Sequence, residues 1–194
     1  MTVQLLTHNI NNLANKFLLT TQQYHLMHEA GVFNDGDRLE LINGEITEMS
    51  PIGRKHVACI IRLVKVFEKK LGDRFMISAQ NSVRLNNHAE PQPDIAILKW
   101  RDDFYNEALP TSDDILLIIE VADSTIAYDR DVKAPLYAAA GIPEMWLFDV
   151  NKKAIEGHSQ PSVNGYKQIH RYDEGDTLSM LAFQDVKFNW NELF

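Results

Sequence analysis

Asp94 and Glu120 stand where a carboxylate is hardest to keep. Glu120 interrupts Ile115-Leu116-Leu117-Ile118-Ile119-Glu120-Val121-Ala122, a run of branched apolar residues that reads as a strand covered on both faces. Asp94 sits at the entrance of a second apolar strand, Pro93-Asp94-Ile95-Ala96-Ile97-Leu98. A carboxylate in such a place costs roughly several kcal/mol unless a cation or a hydrogen-bond donor meets it. Two of them on neighbouring central strands repel unless they share a proton or a cation. Hard divalent metals take oxygen ligands of this kind. The plainer reading makes Asp94 a turn residue after Pro93 and Glu120 half of a buried ion pair. Lys133 adds weight to the metal reading. It lies on the helix after the 115–122 strand, and a connection of that length can return it near the carboxylates. Two carboxylates and a lysine form a common phosphodiester-hydrolysing set. The cation activates water, and the lysine orients it or stabilises the developing charge.

The elements that must position these residues follow from patterning. Thr20 or Thr21 can cap a short helix through Glu29, with Gly31 past its end. Arg38 to Met49 reads as a hairpin turning on Asn43-Gly44. Residues 50–53 are a break. Residues 54–71 give the clearest helix, with Val57, Ile60, Ile61, Val64, Phe67 and Leu71 at helical spacing and Gly72 closing it. Strands are predicted at 75–85, 93–99, 115–122 and 144–150. A helix is predicted at 129–140, with Pro135 kinking it or lying near its first turn. Strands at 153–159 and 165–172 and a short one near 178–181 complete the chain. The order suggests an α+β (α/β-like) fold with a mixed sheet flanked by helices. Residues 1–19 read as a loose arm before one domain spanning 20–194.

Composition narrows the function classes. The 194 residues carry a net charge of -8, so no global field attracts nucleic acid. That weighs against a plain DNA-binding module but not against an enzyme with a local basic face. Cys59 is the only cysteine, which excludes internal disulfides and cysteine-based zinc sites and suits a reducing cytoplasm. Neither a signal peptide nor a membrane-spanning run is expected.

A resemblance sharpens the chemistry. The phrases Leu39-Glu40-Leu41-Ile42-Asn43-Gly44-Glu45-Ile46, Met49-Ser50-Pro51 with His56, Pro93-Asp94-Ile95-Ala96, and Ile119-Glu120-Val121 with Ser124 and Thr125 come in order. Asp129, Lys133, Leu136-Tyr137-Ala138, Ala140-Gly141-Ile142 and Glu144-Met145-Trp146-Leu147-Phe148-Asp149 follow. Together they resemble the Uma2 (DUF820) family, abundant in cyanobacteria and assigned to the PD-(D/E)XK nuclease superfamily. The resemblance covers roughly residues 20–194. It implies a restriction-endonuclease-like core, Mg²⁺ or Mn²⁺ as cofactor and DNA as substrate, with a homodimer plausible. Asp94 and Glu120 would then bind the metal, helped by the backbone carbonyl of Val121. The lysine two residues after the glutamate is missing, since Ala122 stands there, and the resemblance moves that role to Lys133.

Three further residues are candidates for support. His56 could face the cleft, or be a surface or cap residue. Glu40 could join the site, or be an exposed strand residue. Gln80 could reach the metal through water. The basic side of the 54–71 helix could track a phosphate backbone, or be a solvated face. Two rival functions stand beside a nuclease: a catalytically silent nucleic-acid-binding or regulatory module on the same fold, and a protein-interaction module using the acidic surface.

Overall fold

The computed structural model describes residues 16–194. The expected arm falls mostly on residues 1–15, which lie outside the described residues. Helix α1 (Thr21–Glu29) starts at a reciprocal cap: Gln23 N–H donates to the Thr20 hydroxyl, and the Gln23 side chain accepts from Thr20 N–H. The hairpin β1 (Leu39–Ile42) and β2 (Glu45–Glu48) turns on Asn43 and Gly44, both at positive φ, as an Asn-Gly turn requires.

Six strands form the central sheet: β3 (Met76–Ala79), β4 (Ile95–Leu98), β5 (Ile115–Ala122), β6 (Glu144–Asp149), β7 (Ala154–Ser162) and β8 (Gly165–Tyr172), in that spatial order. All neighbours are antiparallel except β5 and β6. Only a crossover can join a parallel pair, and one helix makes it. That helix, called α3 throughout, runs Ile126–Tyr128, widens into a π turn at Asp129–Lys133, and finishes at Ala134–Ala139. The expected 75–85 strand is shorter. It stops at Ala79, and Gln80 turns the chain at φ 55° into an irregular segment.

The sheet is covered on both faces, which explains its near-continuous apolar strands. Leu117, Ile119 and Val121 pack under α2 (Arg54–Leu71), together with Ile95, Ile97 and Phe148. Ile118 and Ala122 pack toward α3 with Ala96, Leu98 and Leu147. The buried stripe of α2 is Cys59, Ile60, Leu63, Phe67 and Leu71. Val57 and Ile61, expected in the core, are exposed, Ile61 at 64%. The stripe steps through 56, 60, 63, 67 and 71, so 57 and 61 fall one position around the helix.

The strand expected near 178–181 is β9 (Thr177–Met180), and it pairs with β10 (Phe183–Asn189), which sequence reasoning missed. A last helical turn, Trp190–Leu193, follows. This hairpin is pinned to β6 by Glu144, whose carboxylate accepts from Leu181 N–H at 2.7 Å and Trp146 Nε1–H at 2.7 Å. Burial pushes the Glu144 carboxyl up to about 7, and its two donors only partly offset this. The native state therefore holds this proton above the ordinary value of 4.5, where the unfolded chain has released it. The group's contribution is most favourable below that value, falls as pH rises toward 7, and is level above. In urea unfolding, wild type is expected to lose about 2–3 kcal/mol relative to Glu144→Gln between low and neutral pH. Parallel curves for the two proteins would contradict this.

Candidate active site

Strand parity brings the carboxylates together. Beyond a register shift at the start of β5, its even-numbered residues face α3, so Glu120 points to that side with Ile118 and Ala122. In β4 the α3 side takes Ala96 and Leu98, and Asp94 shares their parity. Ile95 pairs with Ile119, so one further step of antiparallel register sets Asp94 opposite Glu120. Two bonds cross there. Asp94 N–H donates to Glu120 Oε2 at 3.3 Å, and Val121 N–H donates to Asp94 Oδ2 at 2.8 Å.

Helix α3 supplies the next layer. Ala134 N–H reaches back to Asp129 O, five residues earlier, so this turn holds one more residue than an α-helix. Turns of this kind often occur at functional sites. Asp129 and Lys133 are both buried at it. Lys133 Nζ sits 3.1 Å from Glu40 Oε2 and 3.3 Å from Glu120 Oε1. One helical turn on, Tyr137 Oη donates to Glu120 Oε1 at 2.6 Å. Thr125 Oγ1 donates to Asp129 Oδ2 at 2.6 Å.

From the other face, α2 contributes His56, which lies on that helix's buried stripe. Its Nδ1–H donates to Val121 O at 2.7 Å. Nε2 lies 3.0 Å from Asp94 Oδ1 but out of line for a hydrogen bond, so the attraction is one of charge. Apart from Tyr137, which stands behind Glu120, these groups line a cleft of about 440 Å³, with the 50–53 break as one wall.

The charges here do not balance. Glu40, Asp94, Glu120 and Asp129 face one buried lysine. Burial works against the Lys133 ammonium, but Glu120, Glu40 and Asp129 outweigh it, so it stays protonated. Burial, with Asp94 and Asp129 nearby, pushes the Glu120 carboxyl well up despite Lys133 and Tyr137. Burial raises Asp129 too. For His56, burial lowers the pKa, and Asp94 and the Val121 carbonyl overcome it, leaving it raised. Surplus negative charge on oxygen donors is what a divalent cation offsets. Among the described residues no three His, Cys, Asp or Glu side chains converge as a closed metal cage. Mg²⁺ needs none, because it binds through one or two carboxylates and keeps waters.

Of the residues singled out by sequence, the structure brings Asp94, Glu120, Val121, Lys133, Glu40 and His56 together. Of the two readings of Glu40, the structure excludes the exposed strand residue: Glu40 is buried and its partner is Lys133. Gln80 lines a neighbouring cavity instead, although its N–H donates to Asp94 O at 3.0 Å. The sequence assigns no role to two residues that line the cleft, Asp129 and Arg38, or to Tyr137 behind it. Tyr137 is a core residue by burial, and the signal for its added bond to Glu120 is its position four residues after Lys133 on the same helix face. Asp129 enters the resemblance without a role of its own. Arg38 read as an ordinary hairpin residue.

The comparisons with known proteins agree on the fold. The Uma2 family model, described as "Putative restriction endonuclease", matches residues 21–191. Six solved chains match in structure. One is described as a "putative nuclease belonging to DUF820 from Anabaena variabilis ATCC 29413". It has a TM-score of 0.70 and 16% identity, over 91% of this chain and 97% of that one. No curated protein matches in sequence. Among the described residues, no helix is long and apolar enough to cross a membrane.

Proposed function

The chain belongs to the Uma2 family, and from that premise we propose that it is a Mg²⁺- or Mn²⁺-dependent endonuclease hydrolysing phosphodiester bonds in DNA. The observation that carries the reading is the cross-strand pair Asp94 and Glu120, set face to face beside a buried lysine. Asp94, Glu120 and the Val121 carbonyl are the oxygen donors that would hold the cation. Bound there, it would supply a Lewis acid that lowers the pKa of water and offsets phosphate charge.

The chain's own residues do the rest. His56 fixes the Val121 carbonyl through one of its two lone pairs. Tyr137 fixes the Glu120 carboxylate. Lys133 stays protonated, so it cannot take a proton from water. Its part is to orient the attacking group and to stabilise charge developing on the phosphate. Glu40 holds the ammonium in place. A DNA substrate would place the protein in the cytoplasm, where a lone buried Cys59 is at home.

The direct test is cleavage of supercoiled plasmid and of single-stranded DNA with Mg²⁺ or Mn²⁺. Calorimetry supplies an independent check. Wild type should bind Mn²⁺ weakly, and Asp94→Asn should not. Equal binding by both would remove the metal site. A catalytically silent module on the same fold is favoured by one observation: Lys133 has both of its carboxylate partners inside the protein already.

A further inference from the structure

Beside the carboxylate cleft lies a second cavity of about 550 Å³, and Arg38 and Ile52 line both. We infer that this cavity is a subsite for one unpaired nucleobase whose amino group stands at the adenine 6- or cytosine 4-position, where guanine and thymine carry a carbonyl, with Arg38 holding the phosphate between the two cavities. The inference rests on the nuclease reading of the first cleft and adds which part of the substrate the protein reads.

The first argument is connection. If a phosphodiester occupies the first cleft, the adjoining nucleoside must leave across one of its walls, and Arg38 stands on the wall shared with the second cavity. Arg38 Nη1 donates to Ser50 O at 2.9 Å, but no carboxylate pairs with Arg38 among the described residues. Arg74, Arg84, Arg101, Arg130 and Arg171 each pair with one; Arg54 and Arg62 on α2 also have none among the described residues, but neither lines either cavity. An unpaired guanidinium at the edge of an acidic cleft has the fork geometry that holds a phosphate.

The second argument is the chemistry of the walls. Gln80, Ser82 and Gln92 are half-buried and line the cavity, and their side chains have no protein hydrogen-bond partner among the described residues. Gln92 meets Glu40 only through its backbone N–H. Amide groups of this kind pair with adenine edges, and carboxylates accept from the cytosine amino group. The buried Glu90 supplies such a carboxylate. It is held by His25 Nε2 at 2.7 Å and by Arg84 Nη2 at 3.3 Å. Tyr24 and His28, with rings 4.9 Å apart, give the same cavity an aromatic wall.

Charge then selects between a phosphate and a base. Glu29, Asp37 and Glu90 line this cavity, so a second phosphate would be repelled and an amino group attracted. The volume falls in the range of ordinary ligand pockets. Only an unpaired base can enter such a pocket, from a single strand or flipped from a duplex. Gln80 itself is held at φ 55°, a conformation unusual for a side chain of its kind, by the N–H bond to Asp94 O. That bond and the one from Gln92 N–H to Glu40 Oε2 join the base pocket to the carboxylate cleft.

The test is fluorescence anisotropy of labelled single-stranded homopolymers of dA, dC and dT in EDTA, which removes cleavage from the readout. Wild type should bind dA or dC about 5-fold or more tightly than dT. The double variant Gln80→Leu/Gln92→Leu should erase the preference, and Arg38→Ala should weaken all three alike. Thermal melts verify that the variants fold. If the double variant melts early, Gln92→Leu alone makes the same comparison. Equal affinities in wild type, or a preference that survives the glutamine variants, overturns the subsite. Plasmid cleavage is measured in parallel. Cleavage with base-blind binding overturns the subsite alone. Base-dependent, variant-sensitive binding without cleavage supports the subsite and overturns the nuclease reading alone. Neither binding nor cleavage overturns both.

Discussion

Glu120→Gln is expected to lower plasmid cleavage by roughly 10²–10³-fold, the loss typical of removing one electrostatic stabiliser, without unfolding the protein. The reason is the cost of holding the Glu120 charge inside the protein. Glu120 is buried, and Asp94 and Asp129 oppose its charge. Gln has nearly the same shape, its carbonyl can still accept from Tyr137, and Lys133 keeps Glu40 as a partner. The sign of the pH dependence follows from the raised pKa. Folding favours the protonated carboxyl, so wild-type stability from this group is full at low pH and falls as pH rises past its ordinary value of 4.5. The variant should therefore match wild type at low pH and melt at the same or a higher temperature at alkaline pH. Added Mg²⁺ should raise the wild-type melting temperature at alkaline pH, since a ligand bound to the native state stabilises it, and should leave Glu120→Gln unmoved. A variant that cleaves like wild type would remove Glu120 from the reaction. One that melts far below wild type would make Glu120 a structural residue.

What the sequence made legible here was local and periodic. The runs at 93–98 and 115–122 are apolar because helices cover both faces of the sheet, and that burial also marked Asp94 and Glu120 as costly. The Asn43-Gly44 turn and the Thr20 cap carried their own signals. Failures came where the deciding contact is distant in sequence. The 75–85 strand looked continuous, but the chain bends at Gln80, whose N–H is claimed by Asp94 O. The β10 strand hides because its register to β9 shifts midway, which blurs a period of two.

The site shows the same division. The two readings of Glu40 stayed open in the sequence because nothing in the β1–β2 hairpin announces that Lys133 will cover it from another element. His56 could be placed only by finding the true stripe of α2, one position around from the stripe Val57 and Ile61 suggested. The Ala122 substitution was legible, and parity gives it meaning. Residue 122 faces the same side as Glu120, so a lysine there would point into the site. Ala122 leaves that direction to packing, and α3 brings Lys133 to the Glu120 carboxylate instead. The second cavity had no sequence signature at all, since α1, the 37–39 and 80–92 segments and Ile52 converge to make it.

Lys133→Met should cost about 3–5 kcal/mol of stability, because it leaves Glu40 and Glu120 buried without their cation. It should also lower cleavage by roughly 10²-fold or more, as for loss of a charge-stabilising group. The two losses have different origins and can be separated. In the double variant Lys133→Met/Glu40→Gln one of the stranded charges is gone, so much of the stability should return. Nothing in that change restores a cation beside the phosphate. If Lys133 acts on the reaction, the double variant should melt near wild type, bind Mn²⁺ in the calorimeter, and still cleave at the level of Lys133→Met. If Lys133 only balances buried carboxylates, cleavage should recover along with stability, and the lysine becomes a positioning residue for Glu120. All rates are to be compared well below each protein's melting temperature, so that the unfolded fraction does not enter. Wild type and both variants nicking DNA at the same background rate would leave the catalytically silent module as the surviving account of the site.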